Sequence, residues 1–81
     1  MSNVLTIGVR LPVNQYIRIT KNVLNANRHE EVELHSYGEV GMAKLTQVVN
    51  VLSTWGYIQV KRIKVLMDPG LKICIQRTPE F

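Results

Sequence analysis

Hydrophobic and polar residues along the chain define one central unit, a strand over Glu31–Gly38 followed by a helix. Within this strand Val32, Leu34 and Ser36 alternate with charged or aromatic side chains, which is the period of a half-buried strand. The glycine at its end stops the alternation, and apolar residues then recur at helical spacing as far as Trp55. The pattern therefore predicts a strand, a sharp glycine turn and a helix, around which the other elements pack.

The segment before this unit predicts a strand and a helix. A first strand is expected over Asn3–Arg10, where Leu5, Ile7 and Val9 alternate with other residues and form an apolar inner face. Pro12 ends this strand and suits the first turn of a helix, because it has no N–H to donate. The apolar residues of that helix recur at helical spacing and are Val13, Tyr16, Ile17, Thr20, Val23 and Leu24.

The second helix carries more apolar surface than a single contact requires. Its core stripe consists of Leu45, Val48, Val49 and Leu52. Val40, Val51 and Trp55 lie off that stripe, and Gly56 marks the end of the helix. A helix that is apolar on two sides usually has two neighbours. In so short a chain the second neighbour is expected to be another subunit, so Val40, Val51 and Trp55 form the predicted dimer interface.

The C-terminal part predicts a hairpin. Its strands are Tyr57–Met67 and Leu71–Arg77, and Asp68–Gly70 form the turn between them. The complete order is therefore β-α-β-α-β-β, which predicts an α+β two-layer sandwich of one four-stranded sheet and two helices. Right-handed crossovers place both helices on the same face when the parallel strands step in one direction.

The register of this hairpin follows from its alternating side chains. Pairing Lys64 with Gln76 and Val65 with Ile75 separates an apolar face from a polar one. The apolar face holds Ile63, Val65, Met67, Ile73 and Ile75, and the other holds Arg62, Lys64, Leu66, Lys72, Cys74 and Gln76. We therefore expect the three isoleucines and Val65 to be buried beneath the helices, with Lys64, Lys72 and Gln76 facing outward.

Length and composition indicate a small, basic globular domain. The 81 residues, 46% of them hydrophobic, predict one domain over 1–81 with an ordered core over 3–77 and a tail over 78–81. No apolar run approaches the ~20 residues of a membrane span, and no secretion signal is recognised. A net charge of +4 favours a polyanionic partner. The single cysteine, Cys74, excludes an internal disulfide and fits a reducing compartment, so the cytoplasm, the nucleus or both are expected.

Three motifs together resemble the Alba family, small basic nucleic-acid-binding proteins of archaea and eukaryotes. The motifs are Ile7-Gly8 before the first turn, Pro12-Val13 with Tyr16-Ile17 opening the first helix, and Val32-Glu33-Leu34 with Gly38 entering the second. The resemblance covers nearly the whole chain. It implies a fold like that of the C-terminal domain of translation initiation factor 3, with mixed strand order 1-2-4-3. It also implies dimerisation through the second helix and the strand ends, and binding to DNA, RNA or both.

The sequence departs from the archaeal Alba pattern in three places. Arg10 and Leu11 stand where paired lysines precede the proline, so one positive charge is lost. Tyr37–Glu39 replace an Arg-Gly-Arg motif, and the long basic hairpin that reaches around DNA is shortened to Asp68–Gly70. These departures resemble those of eukaryotic relatives, which include RNA-binding proteins and subunits of ribonuclease P. They favour RNA or single strands over tight binding to a duplex.

The candidate nucleic-acid contacts are six basic residues and one aromatic residue. They are Arg10, Arg18, Lys21, Tyr37, Lys61, Arg62 and Lys64. Arg10 matches a DNA-contacting position of the family, and Tyr37 is placed where a base can stack on it. Structural alternatives stay open: Arg10 as a solvated charge, Tyr37 as a contact to a neighbouring subunit, and the run Lys61–Lys64 as protection of an edge strand. Lys72 is expected to be mainly structural, partly neutralised by a glutamate of the central strand.

Other potentially reactive residues are interpreted as structural. The histidines and carboxylates around the central strand are His29, Glu30, Glu31, Glu33 and His35. Their alternation is typical of a solvated strand face, and their spacing fits no zinc site. Gly38–Gly41 matches the GxxG loop of KH domains in its letters only, because it follows a strand and contains Glu39. Cys74 is expected to fill space in a strand, so no catalytic residue, metal or cofactor is predicted.

The sequence thus predicts a nucleic-acid-binding protein that acts as a homodimer, or as a heterodimer with another Alba-like protein. It would bind RNA, DNA or both through largely sequence-independent phosphate contacts. The basic charge and Arg10 favour this function. The alternative is a protein-interaction subunit of a ribonucleoprotein or chromatin complex, which Tyr37, Glu39 and the short hairpin favour. A small enzyme has little support.

Overall fold

The computed structural model describes residues 3–67 and 69–79, and it contains the six predicted elements in the predicted order. The strands are β1 (Val4–Thr6), β2 (Val32–Tyr37), β3 (Ile58–Leu66) and β4 (Gly70–Arg77). The helices are α1 (Val13–Ala26) and α2 (Gly38–Thr54). The predicted α+β class is therefore confirmed.

The four strands form one mixed sheet in the order β1-β2-β4-β3. β1 runs parallel to β2, whereas β4 pairs antiparallel with both β2 and β3. This is the strand order that the family resemblance implies. Both helices contribute to a core with one face of the sheet, which is called here the inner face. Neither helix covers the opposite, outer face of the sheet within the described residues.

β2 lies between β1 and β4, and its alternation is that predicted from the sequence. Val32, Leu34 and Ser36 are buried on the inner face, and Leu34 lies opposite both Leu5 and Ile73. Gly38 has a φ of +77°, a conformation that favours glycine, so the chain can pass directly from β2 into α2.

The helices bury most of the residues that their spacing predicts, and Val13 and Val23 of α1 are half-buried at the edge of the core. In α2 the stripe Leu45, Val48, Val49 and Leu52 is buried, and the helix ends before Gly56, whose φ is +73°. In α1 the buried residues are Tyr16, Ile17, Thr20 and Leu24. Pro12 precedes this helix in an extended conformation, one position earlier than the predicted first turn.

The first strand is shorter than predicted. It ends at Thr6, and the Ile7 N–H makes one further bond to the His35 carbonyl, at 2.7 Å. Val9, expected on the inner face, is exposed. β2 gives way to α2 at Gly38, and Lys44 of that helix donates from Nζ to the carbonyls of Val9 and Leu11 at 3.0 and 2.7 Å. These carbonyls face the helix instead of a neighbouring strand.

The predicted hairpin register is wrong by four residues. Lys64 pairs with Lys72 and Val65 with Leu71, so only residues 67–69 connect the two strands. The short connection lets the first residues of β4 pair with β3 and with β2 at once. Side chains alternate between the two faces of a strand, so a shift by an even number of residues leaves each side chain on its predicted face of the hairpin. The part of the turn formed by Asp68 lies outside the described residues.

A β-bulge at Lys61 keeps the apolar side chains of β3 on one face. The register shifts by one between Val60 and Arg62, so Lys61 has no partner across the hairpin. Val60 therefore lies opposite Ile75 and Ile63 lies opposite Ile73, both on the inner side.

The expectation that all three isoleucines and Val65 are buried is wrong for β3. Ile73 and Ile75 of the more central strand β4 are buried, but Ile63 and Val65 are 63% and 75% exposed. β3 is an edge strand, and only its first residue, Ile58, is buried. The rest of its inner side extends past the helices that cover β2 and β4.

Candidate nucleic-acid interface

The fold distributes the predicted basic residues over separate surfaces instead of bringing them together. Arg18 and Lys21 lie on the side of α1 that faces the end of α2. Arg10 lies on the other side of α1, and Arg62 and Lys64 lie on the outer face of the sheet.

The first surface is an open cleft of about 390 Å³ between α1 and the C-terminal end of α2, called here the α1 groove. Its lining residues are Asn14, Ile17, Arg18, Lys21, Asn22, Asn25 and Trp55. The Lys21 ammonium lies 5.8 Å from the Trp55 ring centroid and 5.3 Å from that of Tyr57, in two cation–π contacts. The Tyr57 hydroxyl donates to Asn25 Oδ1 at 2.9 Å. Basic and aromatic groups are therefore held together here.

Arg10 lies beside a second cleft, of about 470 Å³, between β1 and α1. Leu5, Tyr16 and Ile19 line its apolar part. The Tyr16 hydroxyl accepts a hydrogen bond from the Gly8 N–H at 3.1 Å, which ties the chain before Arg10 to α1. Arg10 itself is exposed at the rim, in a position to meet an anion from solvent.

On the outer face of the sheet the basic residues are partly neutralised. Arg62 forms an ion pair with Glu31, and Lys72 forms one with Glu33 at 3.2 Å. The expected neutralisation of Lys72 is thus confirmed. Lys64 and Lys61 have no carboxylate partner among the described residues, and Lys61 Nζ donates to Gln59 Oε1 at 3.2 Å.

Tyr37 lies at the junction of β2, α2 and the hairpin. It is 54% exposed, and the Gly38 N–H beside it donates to the Pro69 carbonyl at 3.1 Å. Glu39 follows in the first turn of α2. A carboxylate there is favoured by the helix dipole, and its charge repels a phosphate from that helix end. Tyr37–Glu39 thus provide an aromatic ring and a negative charge but no cation at this junction.

The predicted dimer residues also lie on different parts of α2. Val40 is exposed in the first turn, at the end of the molecule that carries the hairpin turn. Val51 is half-buried and packs against the core. Trp55 is 55% exposed at the other end of the helix, beside Lys21 of α1.

Comparison with solved structures identifies this arrangement of elements. A crystal structure of ALBA1 from Trypanosoma brucei is similar to this chain with a TM-score of 0.84 and 21% sequence identity. The match covers 100% of this chain and 74% of that one. The chain has the Alba fold. No protein-family model matches the sequence, and neither does any curated protein.

Within this Alba fold the central strand carries a set of paired charges. The hydrogen bond from Lys72 lowers the pKa of the Glu33 carboxyl below its ordinary value of about 4.5, against the opposing effect of desolvation. His35 Nε2, 3.3 Å from Glu33 Oε2, lowers it further. The charge of Glu31 raises the pKa of the Arg62 guanidinium. The Glu33 carboxylate and the Arg62 guanidinium are therefore both charged at neutral pH.

Replacing Lys72 with methionine should raise the pKa of Glu33 toward its ordinary value, because the largest cause of its lowering is removed. A lowered pKa stabilises the folded state above the unfolded pKa, and this contribution is lost as pH falls through the folded value. NMR titration of the Glu33 side chain in Lys72→Met measures the change. Lys61→Met removes an equal charge elsewhere and should leave the Glu33 pKa where it is; an unchanged pKa in Lys72→Met would contradict the assignment.

The remaining polar residues of the described chain show no further site. No group of three or more His, Cys, Asp or Glu residues among them is arranged to hold a metal ion. Cys74 is buried in β4, as its predicted role as a strand filler requires. Neither helix is long and apolar enough to cross a membrane, within the residues described.

Sequence reasoning missed two roles that depend on long-range contacts. Lys44 binds two backbone carbonyls of the β1–α1 segment and fixes the loop that carries Arg10. Arg77 lies 5.7 Å from the Tyr57 ring centroid, next to the α1 groove. The spacing of residues within a helix or strand does not predict these contacts, because each contact joins residues far apart in the chain.

Proposed function

We propose that this chain is a nucleic-acid-binding member of the Alba family that acts as a dimer and carries out no catalysis. One observation supports this function above the others. Five of the predicted cations have no carboxylate partner among the described residues: Arg10, Arg18, Lys21, Lys61 and Lys64. Together with the net charge of +4 and the Alba fold, these cations favour a polyanionic partner, which they would contact from more than one surface of the molecule.

Phosphate contacts of this kind give affinity without sequence specificity. A lysine or arginine side chain that binds a phosphate releases counterions from the nucleic acid, so the affinity of the protein for nucleic acid falls as the salt concentration rises. Phosphates are the same at every base, and they position a protein without reading the sequence. Nothing among the described residues forms the rigid, converging set of side chains that reading base edges in a groove needs.

The hairpin favours RNA or single strands as the ligand. Only residues 67–69 connect β3 and β4, too few to form a basic arm around a duplex. Tyr37 is more than half exposed, and an exposed aromatic ring can stack an unpaired base but not a base inside a duplex.

The dimer is supported by the uncovered inner side of β3. Val60, Ile63 and Val65 form an apolar strip on this edge strand, called here the β3 strip, and none of them is buried. Met67 beyond it is fully exposed, and Val40 lies at the same end of the molecule. Contiguous apolar surface on a small protein is typical of an interface. A second subunit packed on the β3 strip and α2 would cover it and double the number of cations.

The function is tested with labelled single- and double-stranded RNA and DNA probes over a salt series. We expect binding in the micromolar range with a preference for RNA or single strands. Two or three phosphates neutralised per subunit predict a slope of about −2 to −3 in a plot of log affinity against log salt. Fluorescence anisotropy measures both quantities.

Two variants distinguish the contacts. Arg10→Ala should weaken binding by a similar factor for all probes, because it removes a phosphate contact. Tyr37→Ala should weaken single-strand binding more than duplex binding, because it removes a stacking ring. Even non-specific binders reach dissociation constants of about 100 micromolar or lower at physiological salt. If every probe binds more weakly than this, the function is not nucleic-acid binding.

The second candidate is a protein-interaction subunit of a ribonucleoprotein or chromatin complex. The β3 strip favours it, since Ile63 and Val65 are exposed by 63% and 75% on one continuous edge. A complex with another Alba-like chain would cover this strip without requiring strong binding to nucleic acid. Absence of binding to every probe, with a stable heterodimer, would support this candidate.

A further inference from the structure

The α1 groove combines an exposed aromatic ring with cations, on the side of α1 away from Arg10. We propose that this groove is a separate binding site for a nucleotide of a single strand, with a base stacked on Trp55 and its phosphate bound by Lys21 and Arg18. The proposal rests on the nucleic-acid-binding function and adds a second, distinct contact surface to it.

The backbone at Trp55 is fixed by the end of α2. The backbone N–H of Trp55 donates to the Val51 carbonyl at 3.0 Å, and two residues later the backbone N–H of Tyr57 donates to the Leu52 carbonyl at 2.9 Å. Gly56 between them takes the left-handed conformation that ends α2. The ring contacts the Lys21 ammonium and is still 55% exposed. An exposed indole on a fixed stretch of backbone is well placed to stack a base.

The charge around the groove is positive. Lys21 and Arg18 line it, and Arg77 lies beyond Tyr57. None of these three cations is paired with a carboxylate among the described residues, and Arg77 Nε is buried without a hydrogen-bond partner. The paired carboxylates, including Glu33, lie on the outer face of the sheet instead. The groove is therefore complementary to an anion.

The shape and the remaining lining fit a nucleotide. The groove measures about 390 Å³, within the range of roughly 300–1,000 Å³ that is usual for small-ligand clefts. Asn14, Asn22 and Asn25 line it and bring amide groups that can bond to a sugar hydroxyl or a base edge. A duplex does not fit this arrangement, because its bases already stack on one another. The ligand class is thus a single-stranded nucleic acid.

Trp55 is the only tryptophan of the chain, so its fluorescence reports on this groove alone. Titration with a labelled oligouridylate of about 12 nucleotides, a length in the range that single-strand binding sites cover, should quench Trp55 emission. The quenching should follow the same binding curve as the anisotropy of the probe. Trp55→Leu should weaken binding by about fivefold or more, whereas Trp55→Phe keeps a ring and should retain most of the affinity.

The cations are tested by matched substitutions. Lys21→Gln should reduce the salt slope of binding by about 1, because one phosphate contact is lost. Arg28→Gln removes the same charge from the exposed turn after α1 and should leave the slope unchanged. Circular dichroism confirms that each variant is folded.

The outcomes separate this site from the function on which it rests. Anisotropy that reports binding without quenching, and without loss of affinity in Trp55→Leu, would overturn the groove site and leave the proposed function standing. Quenching that depends on the protein concentration and not on the probe concentration would show that Trp55 contacts another copy of the chain. That result would also overturn the site. No binding of any probe would overturn the proposed function, and the groove site with it.

Discussion

The double substitution Ile63→Lys and Val65→Lys is expected to turn the proposed dimer into a folded monomer. Both side chains lie on the β3 strip, exposed in the single chain and outside its core. A lysine at either position should change the stability of the monomer little, because the side chain is exposed to solvent. In the proposed dimer its charge would be buried at the interface between the subunits. An unpaired buried charge costs several kcal/mol, and about 4 kcal/mol corresponds to a dissociation constant roughly a thousandfold higher.

Light scattering over a concentration series measures this change. Gln59→Lys is the matched control, because it adds a positive charge to the same strand near its start, outside the strip. Val51→Glu is less informative, since Val51 packs against the core and its replacement also destabilises the monomer. A monomeric unmodified protein at high micromolar concentration would contradict the homodimer and leave the heterodimer as the remaining arrangement.

Gly70→Ala is expected to destabilise the protein by about 1–3 kcal/mol, the usual cost of forcing extra atoms into a packed site. A β-carbon at this position would lie 3.0 Å from the Ser36 carbonyl oxygen, 3.1 Å from the Tyr37 ring and 3.3 Å from the Leu66 side chain. The oxygen belongs to the backbone of the central strand and cannot move without breaking its pairing with β4. Part of the strain should be relieved by moving Tyr37, so stacking of single strands should weaken as well.

Chemical denaturation measures the loss of stability, and single-strand binding is measured on the same samples. Gly8→Ala is a suitable control, because its nearest atom, the Tyr16 hydroxyl oxygen, would lie at an ordinary contact distance of 3.5 Å. If Gly70→Ala is as stable as the unmodified protein, the prediction is wrong. β2 and β4 would then be able to move apart at Gly70 and accommodate the added β-carbon.

The fold could be predicted because each of its elements has a local signal. Alternation identifies β2, helical spacing identifies the buried stripes of both helices, and Gly38 and Gly56 mark where the chain must turn. These signals depend on the periods of strands and helices and on the conformational freedom of glycine, which are properties of short segments. The Alba resemblance added the strand order, and the structure has that order.

The site could be predicted only as a set of basic residues. Which of them are neutralised depends on cross-strand neighbours: Arg62 meets Glu31, 31 positions earlier, whereas Lys64 on the same strand meets no described carboxylate. The groove beside Trp55 arises because α1 brings Lys21 to the end of α2. Helical or strand periodicity does not encode such a contact, so the sequence placed Trp55 in α2 and in the predicted dimer interface but not in this groove.

The sequence by itself determined the elements, their apolar faces and the positive charge of this protein. Only the tertiary structure decided how far each element extends and what covers it. β1 ends at Thr6, and beyond it Lys44 binds the Val9 carbonyl; three residues between β3 and β4 accompany a hairpin register four residues from the predicted one. The inner side of β3 is apolar by sequence, yet it is exposed because the two helices are placed over β2 and β4. Local periodicity specifies which face is apolar, but coverage is the outcome of packing between distant segments.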